Sequence, residues 1–366
     1  MRKLLLPLIC IMATSCGLKV GPHNLRQDAV TYNEAVQKGI DRQLLLNIVR
    51  LRYHDNPSFL DIGVVSASYD FKRVFNNQFE TGNTDFPSIG WKPTVGLEYS
   101  EKPTTTYNPL TGKGFVEQLL TPIRFDTFSH LNASGWRTDR LLRCCIQRMN
   151  NVRNAPTATG PTPLEVPEYE EFIELANIFQ ELDSRDALHI AKKHDKEGKP
   201  YYMLQIERSL ADPLLMDHFW SHLELNPGTY EFYLTRHHGR QHRGDEITIQ
   251  TRSPLGVFYF LSHGVNIPIS DEMDGRVTLT TDEQGNVFDW NQVLGNLFQV
   301  YTHPMKLKKG CPPCQFVSIC YRGTVFYIDD RDLSSKSTFS LITQLLALQS
   351  GCPEQPLLTL PIGPSL

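Results

Sequence analysis

Three aspartates in the string YIDDRD, Asp329, Asp330 and Asp332, are the group in this sequence hardest to dismiss as a site of chemistry. Carboxylates gathered at the end of a strand can hold Mg2+ or Ca2+, or serve acid/base catalysis. They can equally turn the chain, pair with Arg331 or Lys336, and favour the positive end of a following helix. A calcium loop would add further oxygen ligands and a glycine at a fixed offset, and the string supplies neither. Histidines form two further groups. His218 and His222, in DHFWSH, stand four apart on an expected helix, but Phe219 occupies the place of the glutamate in a zinc-hydrolase HExxH. His237, His238 and His242, in RHHGRQHRG, fall in a basic turn that could receive a metal or an anion. Neither group assigns a metal, and no cofactor is expected.

Cysteine supplies the remaining chemistry. Cys311 and Cys314, in CPPC, have the spacing of redox and zinc pairs, with Cys320 and Cys352 near enough in sequence to partner them. A thioredoxin-type thiol sits at the start of a helix, where its pKa falls. Here CPPC leads into QFVSICY, a strand pattern, so a disulfide stapling a loop is the better reading. The adjacent Cys144 and Cys145 lie within a helical pattern and read as buried thiols. No GxSxG elbow, Walker loop or dinucleotide fingerprint occurs, so no nucleophile is identified and the reading leans away from an enzyme.

The elements that would position these groups alternate along the chain. NEAVQKGIDRQLLLNIVRLRY has apolar residues at helical spacing through Val36, Ile40, Leu44, Ile48 and Leu51. FLDIGVVSASYDF and TVGLEYS read as strands separated by a polar turn region near 76–90. Helices are expected after PLTGKG, across DTFSHLNASGW, and across RTDRLLRCCIQRMNNV. The segment 156–168, with four prolines, reads as a linker between lobes or as a long loop. Beyond it an acidic helix, a strand at 201–206, a helix near 210–223, strands at 230–235 and 247–252, and a helix at 254–263 follow. Further strands are expected near 276–280 and 297–302. FVSICYRGTVFYI is the clearest hairpin, turning at Arg322 and Gly323, and SSKSTFSLITQLLALQSG is a buried helix opened by serine. The fold class is therefore α+β, with mainly antiparallel sheet and two possible lobes, 31–155 and 169–352, followed by a tail at 353–366.

At the N-terminus Arg2 and Lys3 precede an apolar run from Leu4 to Met12, and Ala13, Thr14 and Ser15 lead to Cys16. This order is that of a secretion signal, and its apolar run is short of the ~20 residues a membrane-spanning helix needs. The small residues before Cys16 resemble the lipobox of bacterial lipoproteins, although Ala13 stands where a large aliphatic residue is usual. The resemblance implies a signal peptide at 1–15, lipidation of Cys16 by diacylglycerol and fatty acyl chains such as palmitate, and a tether at 16–30. Ordinary cleavage after Ser15 is the plainer alternative. Gly17 after the cysteine implies sorting to the outer membrane, with the periplasmic face expected. Loss of Arg2 and Lys3 leaves 34 basic against 40 acidic residues, a net charge of about −6, which argues against a nucleic-acid partner.

Strings in both halves, among them LLLNIVRLRYHDNPSFLDI, PLTGKGFVEQLLTPI and SGWRTDRLLRCCIQRMNNVRN, resemble a family of bacterial envelope proteins of uncharacterised function. The resemblance implies one architecture for both halves and an envelope location, and carries no catalytic residue. The sequence thus points to a lipid-anchored interaction or assembly component with a protein partner in the envelope. The alternative is an envelope hydrolase or ligand-binding protein acting on glycan or peptidoglycan through Asp329, Asp330 and Asp332.

Overall fold

The computed structural model describes residues 20–81, 89–110, 112–161, 165–236, 244–304 and 315–349. The elements run, in order, α1 (Val20–Arg52), β1 (Leu60–Thr81), β2 (Ile89–Pro109), α2 (Lys113–Leu120), α3 (Phe125–Ala133), α4 (Thr138–Cys145), β3 (Ile146–Met149), β4 (Val152–Arg153), α5 (Glu170–Ser184), β5 (Leu188–His194), β6 (Pro200–Ile206), α6 (Pro213–His222), β7 (Glu231–Thr235), β8 (Glu246–Thr251), α7 (Pro254–Ser262), α8 (Ile269–Met273), α9 (Asn291–Leu294), β9 (Tyr301–Pro304), β10 (Gln315–Tyr321), β11 (Thr324–Asp329) and α10 (Leu333–Gln349). The class is α+β. Residues 58–111 form one compact unit around the β1–β2 ribbon, and the other described residues form a second.

In the larger unit a six-stranded sheet has the order β4-β3-β8-β7-β6-β5 and is antiparallel except between β7 and β8. Its apolar face meets α3, α4 and α5 through Phe128, Leu142 and Phe179, opposite Met149, Leu204 and Ile247. The smaller sheet has the order β10-β11-β9 and is antiparallel. Arg322 and Gly323 turn β10 into β11 with φ of 47° and 78°. Two successive positive φ values match the right-handed twist of the flanking strands, which explains why this short turn works and why glycine takes its second place. α1 lies against β10 and α7, with Leu45, Ile48 and Val49 fully buried. α10 buries Phe339, Leu341, Ile342 and Leu345, in keeping with its nearly all-round apolar pattern.

Several expectations change. The tether assigned to 16–30 is helical from Val20 onward, because Pro22 falls in the first turn, where its missing N–H has no helical partner to lose. The helix expected across RTDRLLRCCIQRMNNV ends at Cys145, and Ile146–Met149 joins the sheet. Pro156, Pro161 and Pro167 sit between the ends of a loop closed by Ala155 N–H donating to Glu168 O at 2.8 Å, with a 3-10 turn at Pro156–Thr159. Strands from both expected lobes share the six-stranded sheet, so the break between compact units falls around 58–111 instead. No strand forms at 276–280. Cys16, the histidines at 237, 238 and 242, and the tail at 353–366 lie outside the described residues.

Candidate functional site

Each aspartate of YIDDRD has a partner that accounts for it. Asp329 closes β11 and accepts from the Arg331 backbone N–H at 2.9 Å and from its guanidinium at 3.1 Å, which holds the carboxyl below its usual range. Asp330 pairs with Lys336 Nζ at 2.6 Å. Asp332 is the N-cap of α10, accepting from Ser335 N at 3.0 Å and Ser335 Oγ at 2.6 Å. The serine expected to open this helix, Ser334, is therefore its second residue, and aspartate does the capping. Loss of the cap in Asp332→Ala should cost about 1 kcal/mol, and loss of the exposed pair in Asp330→Ala less than about 1 kcal/mol. Urea titration of both variants checks the order, and equal losses would contradict it.

His218 and His222 share one side of α6, their ring centroids 6.5 Å apart, and His222 Nε2 lies 3.5 Å from Glu174. Among the described residues no three His, Cys, Asp or Glu side chains gather as a metal site. Cys144 and Cys145 are buried free thiols at the end of α4, and burial pushes Cys144 up to about 11. Cys320 is exposed on β10 with a free thiol. In the β10–β11 register Val325 stands opposite it. Cys311, Cys314 and Cys352 lie outside the described residues.

The strongest polar constructions were not visible as motifs. Arg252 is fully buried directly after β8, and its guanidinium donates to Arg143 O at 2.9 Å, Cys144 O at 3.2 Å, Ile146 O at 2.9 Å, Thr159 Oγ1 at 3.2 Å and Asn154 O. It thereby satisfies carbonyls that the end of α4 leaves open. Tyr53 OH donates to the buried Asp271 at 2.6 Å, and Arg276 binds the other oxygen of that carboxylate at 3.0 Å. Near them His263 stacks on Trp290, centroids 4.3 Å apart, with neither ring nitrogen hydrogen-bonded among the described residues. Burial, helped by Arg52 and His54, pushes its pKa down to about 3. The unfolded chain then binds a proton at pH 6.5 that the native chain refuses, so acidification destabilises the fold. Between pH 7 and pH 5 this amounts to about 2 kcal/mol, which urea titration should show and His263→Phe should remove.

Two cavities bear on ligand chemistry. The gap between the large sheet and α3–α5 is apolar and about 30 Å3, room for a water or two and not for a substrate. A groove of about 440 Å3 opens beside Tyr169 and Phe288. Four of its polar groups already pair with each other, Arg153 with Glu168 at 2.8 Å and Tyr169 OH with Gln292 at 2.7 Å.

The ribbon differs from all of these. β1 and β2 pair antiparallel over 22 and 21 residues, about 70 Å at the usual rise, and form a sheet of their own. Because residues alternate between faces, the register from Tyr69↔Glu101 to Thr81↔Ile89 sets Phe71, Phe75, Phe79, Trp91, Val95 and Tyr99 on one face, interrupted by Arg73 and Asn77. Ser68, Asp70, Lys72, Asn76, Gln78 and Lys92 share the other. Comparison with family models, curated proteins and solved structures gives no match. Function is therefore argued from this geometry alone. The expected polar turn at 76–90 is replaced by strand up to Thr81 and again from Ile89, so the ribbon is far longer than the two short strands read from sequence. The signal that could have found it is the recurrence of phenylalanine at every fourth residue, Phe71, Phe75 and Phe79, through DFKRVFNNQFE.

Proposed function

We propose that this chain is a lipid-anchored component of the bacterial cell envelope, held through Cys16 at the periplasmic face of the outer membrane and acting by assembly with protein partners. One observation carries the assembly role: among the described residues the β1–β2 ribbon is a two-stranded sheet with no third strand on its outer backbone edges. Two strands alone are marginally stable in water, and an open edge is a template for another strand. Strand addition is an established means of protein recognition, with backbone hydrogen bonds supplying affinity and alternate residues supplying specificity. The signal-like leader and the small residues before Cys16 support the envelope location. The acidic turn favours no second reading, because its carboxylates already pair with Arg331, Lys336 and Ser335.

Affinity purification from gently solubilised envelopes tests the reading, with wild type and Cys16→Ser in parallel. A stoichiometric partner set that depends on Cys16 is expected. Recovery of the chain alone from both preparations would overturn it.

A further inference from the structure

We propose that the open edge of β1 pairs with the same edge of a second copy of this chain, antiparallel across a two-fold axis at Phe71, giving a four-stranded sheet of order β2-β1-β1-β2. The proposal deepens the assembly reading and rests on it. The two edges of the ribbon are not equivalent. Leu110 N–H donates to Phe59 O at 2.9 Å, so even-numbered β2 positions face β1 and odd-numbered positions present their backbone outward. Pro93, Pro103 and Pro109 all fall on that outward set and remove three donors from the outer edge of β2. Proline confined to an outer edge blocks further strand addition. β1 contains no proline, so its outer edge keeps every donor.

Charge then selects both the partner and the register. Beyond the irregularity between Ile62 and Val65, odd β1 positions pair with odd β2 positions and present their backbone outward, so two copies of β1 pair odd with odd across a two-fold axis, and an axis at Asp70 or Lys72 would set that residue against its own like charge. An axis at Phe71 sets Asp70 opposite Lys72 of the second copy, twice by symmetry, and Tyr69 opposite Arg73. Moving the axis to Tyr69 or Arg73 leaves Asp70 and Lys72 without opposite charges, and moving it to Phe75 sets Asp70 against Glu80. Opposite charges across a strand pair stabilise it and like charges oppose it. The same strand therefore carries both halves of its own complement.

Sedimentation of the full chain in mild detergent tests the pairing. Wild type should run as a dimer. Asp70→Lys and Lys72→Asp should each raise the dissociation constant about tenfold or more, and the double reversal Asp70→Lys/Lys72→Asp should return it to within about threefold of wild type. Recovery in the double variant separates broken pairing from failed folding. As an independent measurement, Phe71→Cys in a Cys320→Ser background should oxidise to a disulfide-linked dimer, because facing residues of a hydrogen-bonded antiparallel pair lie ~5.5 Å apart, within disulfide reach. Val74→Cys, opposite Ser68 in this register, should not. A wild type of single-chain mass, single reversals without effect, or cross-linking at both cysteines alike would overturn the self-pairing. If that single-chain wild type still captures an envelope protein, and loses it when the ribbon is removed, the assembly reading stands without the dimer.

Discussion

Replacing Arg252 by methionine lowers the stability of the α+β unit by about 3–5 kcal/mol, equivalent to roughly 10 °C in melting temperature. The guanidinium is the shared partner of five acceptor atoms, all of them carbonyl or hydroxyl oxygens, at the junction of α4, β3 and the 3-10 turn. It also lies 3.9 Å from the ring centroid of Phe260, where the aromatic face favours its charge. Methionine keeps much of the volume and leaves those oxygens in the interior without their donor, each at a cost of about 1–3 kcal/mol when nothing else replaces it. Asn154 softens the loss, since its amide also reaches Arg143 O and Ile146 O. Arg252→Lys should recover only part of the stability, because a compact ammonium cannot span acceptors arranged around a planar fork. Thermal and urea unfolding of the three proteins measure this, and a methionine variant within about 1 kcal/mol of wild type would contradict it.

Removing the ribbon produces the opposite combination, a large functional loss with little loss of fold. Phe59 and Leu110 are hydrogen-bonded neighbours at its base, so residues 60–109 can be replaced by a short glycine-containing turn without separating the flanking chain. Leu45, Phe172, Phe232, Phe298 and Phe326, buried residues of the α+β unit, all lie outside the excised stretch. The excised chain should therefore melt within about 5 °C of wild type. It should also lose envelope partners altogether, because the proline-free edge of β1 goes with it. A chain that fails to fold after excision would show instead that the ribbon belongs to the stability of the whole.

Much of the architecture was legible because its signals are local. The Arg322–Gly323 turn, the buried stripe of α1 and the all-round apolar α10 follow from period and turn chemistry alone. The ribbon was truncated in that reading for equally physical reasons. Asn76, Asn77, Pro93 and Gly96 are poor strand formers by composition, yet long-range pairing with a matched register overrides propensity, and an outer edge tolerates proline. The buried polar framework was illegible for another reason. Arg252 lies 93 to 109 positions from the acceptors it satisfies, and Tyr53 lies 218 from Asp271, so no spacing rule connects them. The acidic string was conspicuous precisely where sequence is a poor guide to use, since capping and ion pairing need the same residues as catalysis.

The most direct measurement is affinity purification from native envelopes with wild type and the ribbon-excised chain side by side, both carrying Cys16. The account predicts that wild type brings down partners in stoichiometric amounts, further copies of itself included, and that the excised chain, folded and still fractionating with the membrane, brings down none. The same partners in the same amounts on both chains would contradict it.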